Sequence, residues 1–232
     1  MSDKEMNIAC HKLTKRYAGA NQVVAVDKIE LELHPHQISV IIGKSGSGKS
    51  TLLNLIGLLD DKTEGELYIN GVSADAMKEE EKALFRNQNI GFIYQNYSLL
   101  PYLNALENVM LPMFLSSRPK EEKRAHGIKL LKELEIENRM MHYPCQMSGG
   151  EQQRTAIARA ICNNPSLIIA DEPTANVDVE TEKKIMELFM ELREQGKTII
   201  IATHNLEYTN IADAVYKMNT GILSKEEKDG YF

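Results

Sequence analysis

Residues 38–56 read ISVIIGKSGSGKSTLLNLI, and this stretch decides the fold. Its first five residues form a largely apolar run typical of a buried strand, and its leucine-rich end favours a helix. The segment between them, GKSGSGKS at 43–50, fits the pattern G-x-x-x-x-G-K-[ST] at every fixed position. From average residue usage, chance produces such a match in on the order of one chain in a hundred of this length. Because a strand and a helix flank it, we interpret the segment as a phosphate-binding loop rather than a flexible Gly/Ser turn.

The residue types of this loop suit a nucleotide. Its glycines let backbone N–H groups close around phosphate oxygens. Lys49 can reach the terminal phosphates, and the hydroxyl of Ser50 can ligate magnesium. The helix end itself contributes only ~0.3–2 kcal/mol, so Lys49 and a metal ion must supply much of the binding free energy. The predicted nucleotide-binding residues of the loop are Gly43, Lys44, Ser45, Gly46, Ser47, Gly48, Lys49, Ser50 and Thr51.

Two acids follow a second apolar run, LIIA at 167–170. A buried strand would deliver the carboxylate of Asp171 to its end, which suits a magnesium ligand acting through water. Successive strand residues face opposite ways, so we expect Glu172 to project differently and to hold a water for attack on the γ-phosphate. A positioned general base contributes ~10²–10⁴ in rate. An Asp-Glu pair at a strand end is otherwise a solvated turn, and the phosphate-binding loop upstream favours the catalytic interpretation.

Three isolated residues complete the candidate site, and each has an ordinary alternative. Gln95 ends a predicted strand at 90–95 and could touch the shell of a bound metal, or be a surface amide. His204 ends the last predicted strand, on the presumed active edge, where a lone histidine can also be structural. Tyr17 could stack on an adenine ring, although a tyrosine in that place is usually half-buried packing.

Strands alternating with helices along the chain predict an α/β fold with a mainly parallel sheet, whose ligands lie beyond the carboxyl ends of the strands. The stretch 65–71, GELYING, predicts a short strand closed by an Asn-Gly turn. Residues 96–145 are mostly helical in pattern and interrupted by prolines, which predicts a helical subdomain inserted into one domain spanning 1–232. The last nine residues, SKEEKDGYF, read as a polar tail.

A second glycine-rich segment, MSGGEQQR at 147–154, immediately precedes a strongly helical run. A helix start with no side chains in the way attracts anions through its exposed N–H groups. The chain therefore has two candidate anion-binding segments about a hundred residues apart. Spacing alone leaves open whether the second one folds back onto the chain's own nucleotide or reaches another one.

Composition excludes some functions. The formal net charge of −6 over 232 residues opposes nucleic acid and anionic membrane surfaces as partners. No apolar run approaches the ~18 residues needed to span a bilayer, so we expect no direct membrane insertion. The three cysteines show no zinc-ligand spacing and suit a reducing cytoplasm.

Together these motifs resemble the ATP-binding subunit of an ABC transporter, over essentially the whole chain. GKSGSGKS is similar to the Walker A loop, Gln95 to the Q-loop, SGGEQ to the signature, LIIADE to the Walker B strand, ANVD to the D-loop and His204 to the switch histidine. The longer runs at 90–112, 143–161 and 170–178 most resemble the branch of lipoprotein-releasing, macrolide-efflux, antimicrobial-peptide-resistance and cell-division ATPases. Met147, Glu151, Ala175, Val177 and Asn205 depart from common family residues without removing a catalytic group.

The resemblance implies an ABC ATPase of the P-loop NTPase class, with a parallel core, a small antiparallel β region and the inserted helical subdomain. It implies ATP and Mg²⁺ as cofactors, a homodimer that encloses ATP, and a transmembrane permease as partner on the cytoplasmic face of the cell membrane. The block at 97–112, YSLLPYLNALENVMLP, is the expected docking surface, or else partly the subdomain's own core. The implied site residues are, as catalytic groups, Lys49, Glu172 and His204; as metal ligands, Ser50, Gln95 and Asp171; as signature residues acting on the other copy, Ser148, Gly149, Gly150 and Glu151; and in the D-loop, Ala175, Asn176, Val177 and Asp178.

Two other functions stay open at this point. A soluble ABC ATPase could drive a cytosolic assembly, and the absence of a basic face or a second cassette does not exclude every such machine. A binding-only cassette is disfavoured because Lys49, Asp171, Glu172 and His204 are all present.

Overall fold

The computed structural model describes residues 7–18 and 23–226. These residues form both strands and helices, with runs of strands near the two ends of the chain and a run of helices in the middle. In chain order these elements are β1 (Ile8–Tyr17), β2 (Val23–Leu33), β3 (Ile38–Ile42), α1 (Lys49–Ile56), β4 (Glu64–Ile69), β5 (Val72–Ser73), α2 (Glu79–Asn89), β6 (Ile90–Ile93), α3 (Ala105–Met110), α4 (Lys120–Glu133), α5 (Gly149–Ile161), β7 (Leu167–Asp171), α6 (Val179–Glu194), β8 (Thr198–Thr203), β9 (Ala214–Asn219) and β10 (Ile222–Glu226).

The larger sheet has six strands in the order β10-β9-β3-β8-β7-β6. All neighbours pair in parallel except β10, which pairs antiparallel with β9. All five residues of β3 are buried, which is typical of a parallel strand covered on both faces. The carboxyl ends of β3, β7 and β8 therefore meet at one edge, where the phosphate-binding loop, the two acids and His204 follow them.

The smaller sheet has four antiparallel strands in the order β2-β1-β4-β5. Strands β4 and β5 are joined through Asn70 and Gly71, the Asn-Gly turn that the sequence predicts. This sheet and α1 cover one face of the larger sheet, in a core that includes Ile8, Leu31 and Leu52. The small antiparallel region predicted from the family resemblance is therefore present.

Helices α3 to α6 cover the opposite face of the larger sheet. Their buried side chains, among them Leu106, Leu131, Ile157 and Phe189, form one core with Val40 of β3. Short 3₁₀ helices at Leu111–Leu115, Glu137–Arg139 and Pro144–Gln146 connect the longer ones. Helical structure thus dominates 105–146, but the division of 96–145 into a subdomain stays a prediction.

The structure corrects the expectations for the C-terminal part of the chain, where β9 and β10 follow the strand predicted as the last. Ser224, Lys225 and Glu226, read as the start of a polar tail, belong to β10, because they pair with Lys217, Tyr216 and Val215 of β9. The rest of that segment, 227–232, lies outside the described residues. Across the ranges 7–18 and 23–226, no helix has the length and hydropathy that crossing a bilayer requires.

Candidate functional site

The loop at 43–50 joins the central strand β3 to the first turn of α1. Gly48 caps this helix with φ 107°, and a Cβ there would lie 2.1 Å from the carbonyl oxygen of Ala25. Only glycine fits a position that has both a left-handed backbone and so close a neighbour. The loop follows one buried strand and lies against another, so the fold itself sets its shape.

Lys49 begins α1, and its side chain is 6% exposed. Its ammonium donates to the carbonyls of Gly43 at 2.7 Å and Lys44 at 3.2 Å, and lies 3.6 Å from Oε1 of Glu172. The charge is therefore held inside the loop, where the N–H groups around it attract an anion.

Glu172 lies just beyond β7 with φ 48°, so the chain has turned out of the strand at this residue. Its Oε2 accepts hydrogen bonds from the Thr203 hydroxyl at 3.0 Å and the His204 backbone N–H at 3.3 Å, and lies 2.9 Å from Nδ1 of His204. This turn, rather than alternation along the strand, gives Glu172 partners that differ from those of Asp171.

Asp171 ends β7 beside the loop. Burial raises the pKa of its carboxyl above the ordinary value, while a hydrogen bond from Ser50 and the charge of Lys49 act in the opposite direction. The protein alone thus does not fully offset the cost of burying a negative charge on Asp171. The carboxylate, the Ser50 hydroxyl and the Gln95 amide are oxygen donors of the kind that Mg²⁺ prefers, and such sites commonly take only one or two carboxylates beside substrate phosphates.

These groups line one cavity of about 430 Å³. It brings together the predicted residues 45–51, Gln95, Asp171, Glu172 and His204. Five residues that the sequence reasoning missed also line it, namely Val23, Val24, Ala25, Thr220 and Gly221. The Gly221 N–H donates to the carbonyl of Ser47 at 2.9 Å, which joins the β9–β10 turn to the loop. The Thr-Gly dipeptide marks that turn in the sequence, but only the order of strands in the sheet shows that the turn lies next to the phosphate-binding loop.

Tyr17 is absent from the described lining of this cavity. Its hydroxyl donates to Oδ2 of Asp60 at 2.8 Å, and the ammonium of Lys15 lies 5.0 Å from its ring centroid. Burial raises the pKa of Tyr17, and a hydrogen bond with Thr51, which does line the cavity, acts in the opposite direction. Tyr17 therefore lies beside the cavity, and its contact with an adenine stays a prediction.

The second glycine segment begins α5. Ser148 is the cap: its Oγ accepts from the Glu151 N–H at 3.3 Å, and Oε2 of Glu151 accepts from the Ser148 N–H at 2.8 Å. Gly149 and Gly150 occupy the first two helical positions, whose N–H groups have no partner inside a helix. Ser148 is exposed, Gly149 is half-buried and Gly150 is buried, so the positive end of the helix is accessible at its first residues.

The segment 175–178 crosses this helix start. A Cβ on Gly149 would lie 2.7 Å from the carbonyl oxygen of Asn176 and 2.8 Å from the hydroxyl of Tyr97, so glycine permits the close approach. Asn176 donates to the carbonyl of Gln95 at 3.1 Å, and Tyr97 donates to the carbonyl of Asn176 at 3.2 Å. Asp178 then caps α6 by accepting from the Thr181 N–H at 2.9 Å. Ala175 and Val177 complete the turn, with N–H bonds back to Glu172 and Thr174.

A second cavity, of about 350 Å³, lies between α2, β6, α5 and the segment that follows α3. It is an open groove whose lining includes Leu59, Phe92, Tyr94, Pro112 and Leu115. Large apolar side chains also stand exposed in this region of the sequence, at Tyr102, Phe114 and Leu115. Within the predicted docking block 97–112, in contrast, the residues Ala105, Leu106 and Val109 are core.

Comparisons with known proteins agree on one family. The family model "ABC transporter" matches residues 26–175. A solved dimer of the ATP-binding cassette MJ0796 of Methanocaldococcus jannaschii, in a post-hydrolysis state with ADP and Pi, superposes with a TM-score of 0.90. It is 38% identical over 96% of this chain and 99% of that one.

Two curated relatives carry functional names. The lipoprotein-releasing system ATP-binding protein LolD of Idiomarina loihiensis is 40% identical over 95% of this chain and 97% of its own length. The macrolide export ATP-binding/permease protein MacB of Rhodopirellula baltica is 41% identical over 94% of this chain, which spans 33% of that longer protein. The match therefore covers the whole of one relative and about a third of the other.

Proposed function

The chain belongs to the ABC transporter family, and we propose that two copies of it close around ATP and so drive a membrane-embedded partner protein. The resemblance drawn from the sequence motifs, with its lipoprotein-releasing and macrolide branch, is confirmed by these matches. The chain binds and hydrolyses ATP, as its family and its ADP-bound structural neighbour do. The residue roles, the magnesium ion and the membrane location belong to the proposal.

One observation supports the proposal that two copies of the chain form the ATP site. Among the described residues that line the cavity around 43–50, none comes from 148–151. The start of α5 therefore lies outside the cavity that would hold the chain's own nucleotide. A second copy related by a two-fold axis would bring this helix to the open side of the cavity, and symmetry would then complete two sites at once.

The loop residues would hold the phosphates of ATP, with Lys49 as the charged group. Ser50, Asp171 and Gln95 would hold Mg²⁺, which neutralises phosphate charge when it is bound. Arrival of the phosphates would separate Lys49 from Glu172, since the ammonium gains a more strongly charged partner.

Glu172 is the proposed general base. It would take the proton of a water that attacks the terminal phosphate, and the bonds from Thr203 and His204 hold its carboxylate in one orientation. His204 is 66% exposed and lies on the rim, so it can contact a phosphate as well as Glu172.

The groove lined by Leu115, together with the exposed side chains of Phe114 and Tyr102 outside its lining, is the proposed docking surface for the partner. Leu115 is 71% exposed and Phe114 69%, at the end of the apolar stretch that follows α3. Through this contact the chain would lie on the cytoplasmic face of the membrane, with no segment inserted.

The experiment is site-specific photocrosslinking in cells that express the chain. A photoreactive residue replaces Leu115 in the groove or, as the control, Ile222 on β10, which is 59% exposed. We expect an integral membrane protein to crosslink from position 115 and not from 222. Crosslinks from both positions to cytosolic proteins alone would remove the membrane partner from the proposal, while the ATPase activity would stand.

A further inference from the structure

The carboxylate of Glu151 has two partners at the start of α5. Its Oε2 accepts from the Ser148 N–H at 2.8 Å, and its Oε1 accepts from Nε of Arg139 at 2.7 Å. Burial would raise the pKa of this carboxyl, but the bonds from Ser148 and Arg139 outweigh it and the net pKa lies below the ordinary value. A charged group thus lies in the same turn as the donors of Ser148, Gly149 and Gly150.

Arg139 comes from a segment that is fastened to α3. The N–H of Leu106 donates to the carbonyl of Met140 at 3.0 Å, and the N–H of Ala105 donates to the carbonyl of His142 at 2.9 Å. The N–H of His142 in turn donates to the carbonyl of Arg139 at 2.8 Å. The pair Arg139–Glu151 therefore joins α3, whose Leu106 and Val109 are core residues, to the start of α5.

The charge of Glu151 creates a conflict at this position. A carboxylate in the first turn satisfies the helix start, but it also repels any other anion that approaches the same N–H groups. A glutamine at this position would cap the helix without that repulsion. A neighbouring positive charge removes the repulsion while it leaves the cap in place.

We propose that Arg139 is a positioning residue for ATP held by a second copy of the chain: it cancels the charge of Glu151 and ties the signature helix to α3. Ser148, Gly149 and Gly150 then meet the terminal phosphate as neutral donors. The inference rests on the proposed function, because only a second copy brings a phosphate to this helix.

The test uses the full chain with Glu172→Gln, and it measures the ATP concentration that gives half-maximal dimer by sedimentation. Adding Arg139→Gln should raise that concentration about tenfold, the factor that corresponds to ~1.4 kcal/mol. Adding Glu151→Gln as well should return it to within about twofold of the Glu172→Gln reference, because the repelling charge is gone. Arg139→Lys keeps the charge and should stay within about threefold.

Two controls separate this role from folding and from the chain's own nucleotide. Lys184→Gln removes a positive charge from an exposed pair with Glu135, 3.4 Å long, and should leave dimerisation unchanged. Binding of a fluorescent ATP analogue to monomers that carry Ser148→Arg should be the same with and without Arg139→Gln. Equal thermal unfolding temperatures would show that the variants are folded.

The outcomes are distinct. If the Glu172→Gln reference fails to dimerise with ATP, the shared site is wrong and the role of Arg139 falls with it. If the reference dimerises but Arg139→Gln has no effect, the positioning role alone is overturned. The same holds if Glu151→Gln fails to rescue Arg139→Gln, because Arg139 would then act on something other than the Glu151 charge.

Discussion

Nδ1 of His204 lies 2.9 Å from Oε2 of Glu172, so the ends of two neighbouring parallel strands hold one carboxylate between them. The same oxygen accepts from the hydroxyl of Thr203. The other oxygen lies 3.6 Å from the ammonium of Lys49. Both oxygens of Glu172 are therefore oriented before any substrate arrives, which is the condition for efficient proton transfer.

Glu172→Gln should bind ATP normally, hydrolyse it ~10²–10⁴ times more slowly than the unchanged chain, and accumulate as a dimer. The amide fits the same space but does not take a proton from water. Phosphate release and sedimentation with ATP measure the two effects. Turnover equal to that of the unchanged chain would refute the assignment of the base.

Asp171→Asn should stabilise the nucleotide-free chain and abolish the magnesium dependence of ATP binding. Burial raises the pKa of Asp171, so the folded state binds this proton more tightly than the unfolded state does. Stability is then lost as pH rises from the ordinary value of 3.8 through the raised one, and the loss is complete above it.

The measurement for Asp171→Asn is thermal unfolding across pH. We expect the variant to melt at a higher temperature than the unchanged chain at pH 7, with the difference vanishing below the ordinary pKa of the carboxyl. Asp178→Asn is the control, because hydrogen bonds from Thr181 lower the pKa of Asp178, and this variant should lose stability at neutral pH. A lower melting temperature for Asp171→Asn at pH 7 would contradict the burial argument.

The sequence predicts the site residues that follow strands, and it misses those that reach the site from distant parts of the chain. Asp171, Glu172 and His204 were predicted because each follows an apolar run, and parallel strands bring such ends to one edge. Val23, Val24 and Gly221 carry no chemical signature, and they reach the cavity only through the order of strands in two sheets. The distance along the sequence between the two glycine segments also does not decide whether Ser148 acts on the chain's own nucleotide or on another one.

Local pattern likewise explains which elements were missed. The first three residues of the tail, 224–226, are polar because β10 is an edge strand whose exposed residues need no apolar side chain. In α2, apolar residues are too sparse to give a helical period. The side chains of Arg86 and Asn89 stabilise this helix by donating hydrogen bonds to the carbonyls of Leu58 and Phe85. In α4, by contrast, Leu130 and Leu131 are core, and these leucines contribute to the helical pattern of 96–145.

Tyr97→Phe should lower the ATPase rate of the isolated chain about two- to tenfold, because one hydrogen bond contributes ~0.5–1.5 kcal/mol. The lost bond joins Tyr97 to the carbonyl of Asn176 and holds the segment 175–178 against Gln95. Arg159 fixes the backbone of Tyr97 independently, by donating to its carbonyl at 2.7 Å. The ring therefore stays in place, and only the link is removed.

Steady-state kinetics check this, with Tyr143→Phe as the matched control. Tyr143 is also partly exposed, but among the described residues its hydroxyl makes no hydrogen bond to 175–178. An unchanged rate for Tyr97→Phe would show that the hydroxyl does not support the segment.

Mixing two inactive variants should restore activity if the start of α5 acts on the other copy. Lys49→Ala disables the loop of one chain, and Ser148→Arg blocks the helix start of the other with a bulky cation. In a mixed dimer, one site joins both defects and the other joins an intact loop to an intact helix. With random pairing, half of the dimers are mixed and each has one working site, so we expect about a quarter of the unchanged activity at a 1:1 ratio. Each variant alone should be inactive, and activity should follow the product of the two concentrations.

Complete inactivity at every ratio would show either that each chain uses its own helix or that the two sites cannot work singly. A crosslinked mixed dimer distinguishes these cases. It retains one occluded ATP only if the sites are shared but cannot work singly.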